Sequence, residues 1–171
     1  MEIFQPNQPI VTAKPARPVF LTVLCILTFI GSGWGIISGI TSYLSANVTS
    51  HIARAAMQDA KEKIEDEANT GSKFAEKILS GTSEMLQPEN LKKSALFSII
   101  ASVFTLLGGV LMFGLKKAGF YSYVLGTAIG IAGPFIAFGG GNFITILSSS
   151  FIAFIGFFFV ILYGLNVKHL R

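Results

Sequence analysis

Charge is what this sequence lacks. Charged residues make up 13% of the 171-residue chain, about half the share usual in a soluble domain. No Asp, Glu, Lys, Arg or His falls between Ser94 and Leu115, and none between Ala118 and Val167. A water-soluble fold of this size needs charge spread over its surface, and stretches this long offer it none. Cysteine is almost missing too: Cys25 stands alone, which excludes an intrachain disulfide. Histidine is confined to His51 and His169, outside the apolar runs. No Ser-His-Asp, Cys-His or zinc-ligand spacing is therefore available in those runs. Membrane proteases, pumps and oxidoreductases place ionisable groups in the bilayer despite the cost, so all three are disfavoured. No catalytic residue, cofactor or metal site is assigned, and the chain is expected not to be an enzyme. The formal charge of +4 invites a nucleic-acid partner, but no dense basic patch supports one, so no nucleic acid is expected.

Apolar residues, 51% of the chain, fill the space that charge leaves. They gather in four runs: 19–44, 95–115, 121–138 and 143–165. Each is near the length that crosses a hydrocarbon core of about 30 Å as a helix. The first run, 26 residues, would make a helix of about 39 Å, so it tilts or projects. It is also too long for the apolar part of a cleaved signal peptide, and Ser45-Ala46-Asn47 is a poor cleavage site. Period-two polar alternation is absent, which favours helices over barrel strands. The expected fold is all-α: a four-transmembrane-helix bundle with a helical extramembrane loop between helices 1 and 2. The lipid bilayer is its first partner.

Around these spans the sequence predicts a flexible tail at 1–18, rich in proline (Pro6, Pro9, Pro15, Pro18), and a short tail at 166–171. The loop 45–94 differs in kind and holds every acid except Glu2. Within it, Val48, Ile52, Ala56, Ala60, Ile64 and Ala68 recur every four residues, as on one face of a helix. Asn69-Thr70-Gly71 is a stop signal. A short helix is expected next, with Phe74, Ile78 and Leu79 on one face. Pro88 suits the first turn of the second span.

Lys116 and Lys117 mark the turn between spans two and three, whereas the turn at 139–142 is uncharged. Basic residues favour the cytoplasmic side, so the Lys-Lys turn and both termini are expected inside and the loop 45–94 outside. Lys14, Arg17, Lys168 and Arg171 agree. The loop carries its own bases (Arg54, Lys61, Lys63, Lys73, Lys77, Lys92, Lys93), but spread over many more residues. Tyr121, Tyr123 and Tyr163 fall near the inner boundary, where amphipathic rings settle.

Small residues recur in stripes. Gly31, Gly35 and Gly39 are four apart, and Gly126 and Gly130 form a GxxxG. Such stripes let helix backbones approach in lipid. Two uses stand open: packing inside this bundle, or a face for a second copy or a protein partner. Pro134 is expected to kink the third span. Ser148, Ser149 and Ser150 are expected to bond back to their own helix or across to a neighbour. Trp34 is expected inside the bundle, its N–H on an acceptor. Cys25 reads as an apolar space-filler. Asn47-Val48-Thr49 matches the glycosylation pattern, a short motif that arises often by chance.

Two stretches, PVFLTVLCILTFIGSG and LKKAGFYSYVLG, resemble segments of small bacterial four-helix membrane proteins of uncharacterised function. That resemblance implies a bacterial inner-membrane location and carries no activity and no site residues. The plan is also similar to tetraspan junction and scaffold proteins, although claudins keep cysteines in the first loop and this loop has none. Three functions follow in order: a non-enzymatic scaffold or accessory subunit, a small permease or channel, and an enzyme sited in the loop. The last ranks lowest because 45–93 holds no catalytic constellation. Alkaline carbonate extraction of membranes expressing the chain should leave it in the pellet; release into the supernatant would overturn the transmembrane assignment.

Overall fold

The computed structural model describes residues 18–65, 78–83, 85–140 and 143–170. Among them all regular structure is helical: α1 Val19–Glu65, α2 Pro88–Phe113, α3 Ala118–Phe138 and α4 Phe143–Asn166, with a 3-10 turn at Val167–His169. Residues 78–83 are also helical. All four long helices are long and apolar enough to cross a membrane. The tail expected before Pro18, the stop at Asn69-Thr70-Gly71, Ala68 and Phe74 lie outside the described residues.

The first span and the first loop helix, separate in the sequence reading, run as one. α1 has 47 residues, about 70 Å of helix. Hydropathy falls after Leu44, but no Gly or Pro follows before Glu65, so nothing stops the backbone. The face buried on this extension also differs from the expected one. Val48 and Ile52 are 62% and 66% exposed. Ala46 and Ser50 are buried instead, followed by the half-buried Ala53 and Met57; of the expected face, Ala56 is exposed and Ala60 half-buried. The smaller residues turn inward, where close approach is possible. Asn47 lies within this helix rather than in a loop.

α2 begins with Pro88 in its first turn, after an extended Gln87 (φ −65°, ψ 135°), the conformation a following proline imposes. It ends in a Schellman turn. Lys116 N–H donates to the Leu111 carbonyl and Leu115 N–H to that of Met112, both at 2.9 Å. Leu115 takes the left-handed position (φ 61°) that glycine usually fills. That costs a leucine roughly 1–2 kcal/mol, offset by packing of its side chain against the buried cluster at this end.

Consecutive helices pack antiparallel in the order α1, α2, α3, α4, and α2 lies closest to α3. A Cβ on Gly126 would stand 2.8 Å from the Ala101 carbonyl oxygen and the Thr105 nitrogen; on Gly119, 2.5 Å from the Met112 nitrogen; on Gly108, 2.7 Å from the Tyr123 nitrogen. These neighbours are backbone atoms and cannot turn aside. Ser122 adds a hydroxyl bond of 2.9 Å to the Phe104 carbonyl across the same seam. Gly119, Gly126 and Gly133 recur every seven residues, the repeat of helices that cross at a shallow angle. Gly130 lies beside this seam, its Cβ position an ordinary 3.6 Å from Ala101 Cβ.

The burial pattern is inverted relative to a water-soluble protein. Thr28, Ser32, Thr145 and Ser149 are buried, while Ile30, Ile37, Phe151, Phe154 and Phe157 are more than half exposed. Trp34 is 73% exposed on the outside of α1, contrary to the expected inner position. An outward apolar ring costs nothing where hydrocarbon surrounds it. Of the three tyrosines, Tyr121 faces out, while Tyr123 and Tyr163 join Leu21, Leu24, Cys25, Met112 and Leu170 in a buried cluster. Their hydroxyls make this possible, because inner helix faces offer hydrogen-bond partners.

The seam predicts an asymmetry within the GxxxG. Gly126→Ala should lower stability by about 1–3 kcal/mol through overpacking. Gly130→Ala should be neutral or stabilising by up to about 1 kcal/mol from helix propensity. Thermal unfolding in detergent, followed by circular dichroism, checks both; equal effects would contradict the backbone contact.

Candidate functional site

The charge-free part of α2 carries hydroxyls at a helical spacing: Ser94, Ser98, Ser102 and Thr105. Steps of four, four and three hold them on one face. That face forms the back wall of a half-open cleft of about 460 Å³, within the size range of small-molecule sites. α1 contributes Leu27, Thr28, Gly31 and Ser32; α3 contributes Tyr123, Gly126, Thr127, Gly130 and Pro134; α4 contributes Ile152, Ile155, Gly156 and Phe159. α1 and α4 touch little, so the cleft opens sideways between them.

One end of the cleft is shut. Thr28 Oγ1 and the Tyr163 hydroxyl lie 2.7 Å apart and tie α1 to α4. The Tyr123 and Tyr163 rings pack beneath at 4.8 Å between centroids. Further along, Ser32 and Thr105 hydroxyls are 2.8 Å apart. Thr105 spends its proton on the Ser102 carbonyl at 3.0 Å, so Ser32 is the donor between them. Thr127 bonds back to the Tyr123 carbonyl at 3.0 Å. The side chains of Ser94, Ser98 and Ser102 engage no partner among the described residues. No group of His, Cys, Asp and Glu able to hold a metal occurs among the described residues.

Pro134 lies within α3, which continues to Phe138. Having no N–H, it withdraws the helical donor from the Gly130 carbonyl. Gly130 and Pro134 both line the cleft. On α4, Gly156 packs against Thr127, and the antiparallel register sets Ser149 level with Pro134. Ser149 and Thr145 are buried with no hydrogen-bond partner. Ser148 bonds back to the Ile144 carbonyl at 2.8 Å.

The glycines singled out by spacing divide between two places. Gly31, Gly126 and Gly130 meet at the cleft with Pro134. Gly35 and Gly39 lie in the α1–α2 contact, against the Ser102 side chain and Ile99 respectively. Gly31 faces open space, with nothing within 4 Å of a Cβ there. The serine ladder of α2 did not stand out among the small-residue stripes of the sequence, although its four-residue period is there. A second recess of about 390 Å³ lies between the α1 extension and Leu79, Ser80, Ser83 and Gln87, with Arg54 and Lys61 in its wall.

The Thr28–Tyr163 clasp gives a direct test. Tyr163→Phe removes the bond and leaves the Thr28 hydroxyl buried, and should cost about 0.5–2 kcal/mol. In a double-mutant cycle with Thr28→Val, the two losses should not add, as read from thermal unfolding in micelles; additive losses would show that the pair does not act as a clasp.

No protein family, no curated protein and no solved structure matches this chain.

Proposed function

We propose that this chain is a multi-pass protein of a bacterial inner (plasma) membrane that serves as a non-enzymatic scaffold or accessory subunit. Both termini face the cytoplasm and the 45–94 segment faces outside. The observation behind the scaffold role is the continuity of α1 from its apolar half into its polar half. About 30 Å of this helix suffices to cross hydrocarbon, and the remainder forms a projecting arm. A helix without a break transmits position, so a partner held on the arm is held at a fixed place over the bundle. The partner is a protein or a second copy of the chain.

A small permease or channel is the second reading, favoured by the hydroxyl wall of the cleft. Closure of one end by Thr28 and Tyr163 argues against a path through a single bundle. Solute flux in proteoliposomes above that of empty vesicles would favour it over the scaffold.

Two measurements test the scaffold proposal. With Cys25 replaced by Ala, a membrane-impermeant thiol reagent should label Ser72→Cys and spare Lys117→Cys in intact cells; the reverse pattern inverts the topology. Insertion of Gly-Pro-Gly after Ala56, on the exposed side of the arm and beyond the buried Ala46 and Ser50, should abolish a stoichiometric crosslinked complex formed through the arm while leaving the unfolding free energy of the bundle within about 1 kcal/mol of wild type. A complex that survives the insertion would show that α1 continuity is not used.

A further inference from the structure

We propose that the cleft between α1 and α4 binds an uncharged single-chain amphiphile with an alcohol head group, drawn from the surrounding bilayer. This rests on the reading of the helices as embedded in lipid, and it goes beyond the scaffold role.

The lining sets the head group. It contains hydroxyls and no ionisable acid or base except the phenol of Tyr123. A carboxylate, phosphate or ammonium placed there would lose its water and gain no counter-charge. A plain hydrocarbon would leave the hydroxyls of Ser98 and Ser102 without partners. An alcohol suits both demands, because one hydroxyl can donate and accept. It can donate to the Gly130 carbonyl, whose helical donor Pro134 withdraws, and accept from a serine on the facing wall.

The mouth sets the tail. Leu27, Ile152 and Ile155 flank the opening, each between 44% and 48% exposed. An alkyl chain lying between α1 and α4 exchanges one hydrocarbon surface for another, so it enters without a desolvation cost. The Thr28–Tyr163 clasp closes the far end, which limits the occupant to a head group and part of a chain. A volume of about 460 Å³ is too small for a two-chain lipid. Gly31 keeps the space open: a side chain there would project into the cleft and strike nothing.

The test uses the full chain in phosphatidylcholine nanodiscs and three photoactivatable probes that share one twelve-carbon chain with a reach of about 10 Å or more: an alcohol, a carboxylate and a trimethylammonium. The alcohol should label segments 98–102 and 130–134, in competition with unlabelled dodecanol, about tenfold more than either charged probe. Ser98→Ala with Ser102→Ala should lower that labelling about tenfold. Gly31→Leu should abolish it with no loss of thermal stability, since the leucine fills empty space. Equal labelling by all three probes over the outer faces would reduce the cleft to ordinary lipid contact. Copy-to-copy crosslinking through Gly31→Cys would mean that a second chain covers it, and no labelling would mean that water alone fills it; each overturns the proposal. A chain that fails to enter nanodiscs defeats the membrane reading instead, whereas one that enters and stays unlabelled at the cleft defeats only this proposal.

Discussion

α2 and α3 meet backbone to backbone because Gly108, Gly119 and Gly126 lack side chains, and the positions of the other elements depend on that contact. In lipid there is no hydrophobic gain from hiding one apolar face against another, so association comes from close packing and hydrogen bonds. A glycine seam supplies the first and the Ser122 bond to Phe104 the second. The Schellman turn then sets the hairpin's closed end, with Leu115 held in the left-handed region by its own packing. With the hairpin fixed, the serine face of α2 has a defined direction, and α1 packs on α2 and α4 on α3 with that face between them.

The same constraint explains the inverted burial. Outside, large apolar side chains suit hydrocarbon; inside, small and hydroxylated ones allow approach and find each other. Thr28 with Tyr163 and Ser32 with Thr105 are pairs that neither helix could make alone. They join elements 135 and 73 residues apart in sequence.

Spans were legible in the sequence because they follow from composition over twenty residues, and charge-free runs average away local exceptions. Which face of each span turns inward was less so. The GxxxG at Gly126 and Gly130 drew attention to a four-residue step, while the seam runs on the seven-residue step through Gly119, Gly126 and Gly133. Both patterns stand in the same string, and only the partner's surface chooses between them. The outward position of Trp34 was hidden for a related reason: an amphipathic ring can face lipid, interface or core, and its neighbours in space decide. The union of the first span with the loop helix was hidden by hydropathy, which tracks the solvent around a helix and not its continuity. The α2 serines were hidden by their isolation, since each alone reads as a residue bonded back to its own helix.

Glycine in a helix costs about 1 kcal/mol relative to alanine, and that cost needs an account at each site. At Gly108, Gly119 and Gly126 the contact that a side chain would forbid is the account. At Gly31, Gly33 and Gly164 no atom lies within 4 Å of the Cβ position, so packing explains none of them. Openness alone therefore argues for nothing. Gly31 differs from the other two in where its empty space lies, because it lines the cleft and they do not. The same cleft is lined by the serines of α2 and by Gly130, whose carbonyl loses its helical donor at Pro134. A larger residue at that position would improve the helix and fill a void, two gains at once, and would remove only the access of something else to the hydroxyl wall. The physical account of Gly31 is thus the cleft it leaves open.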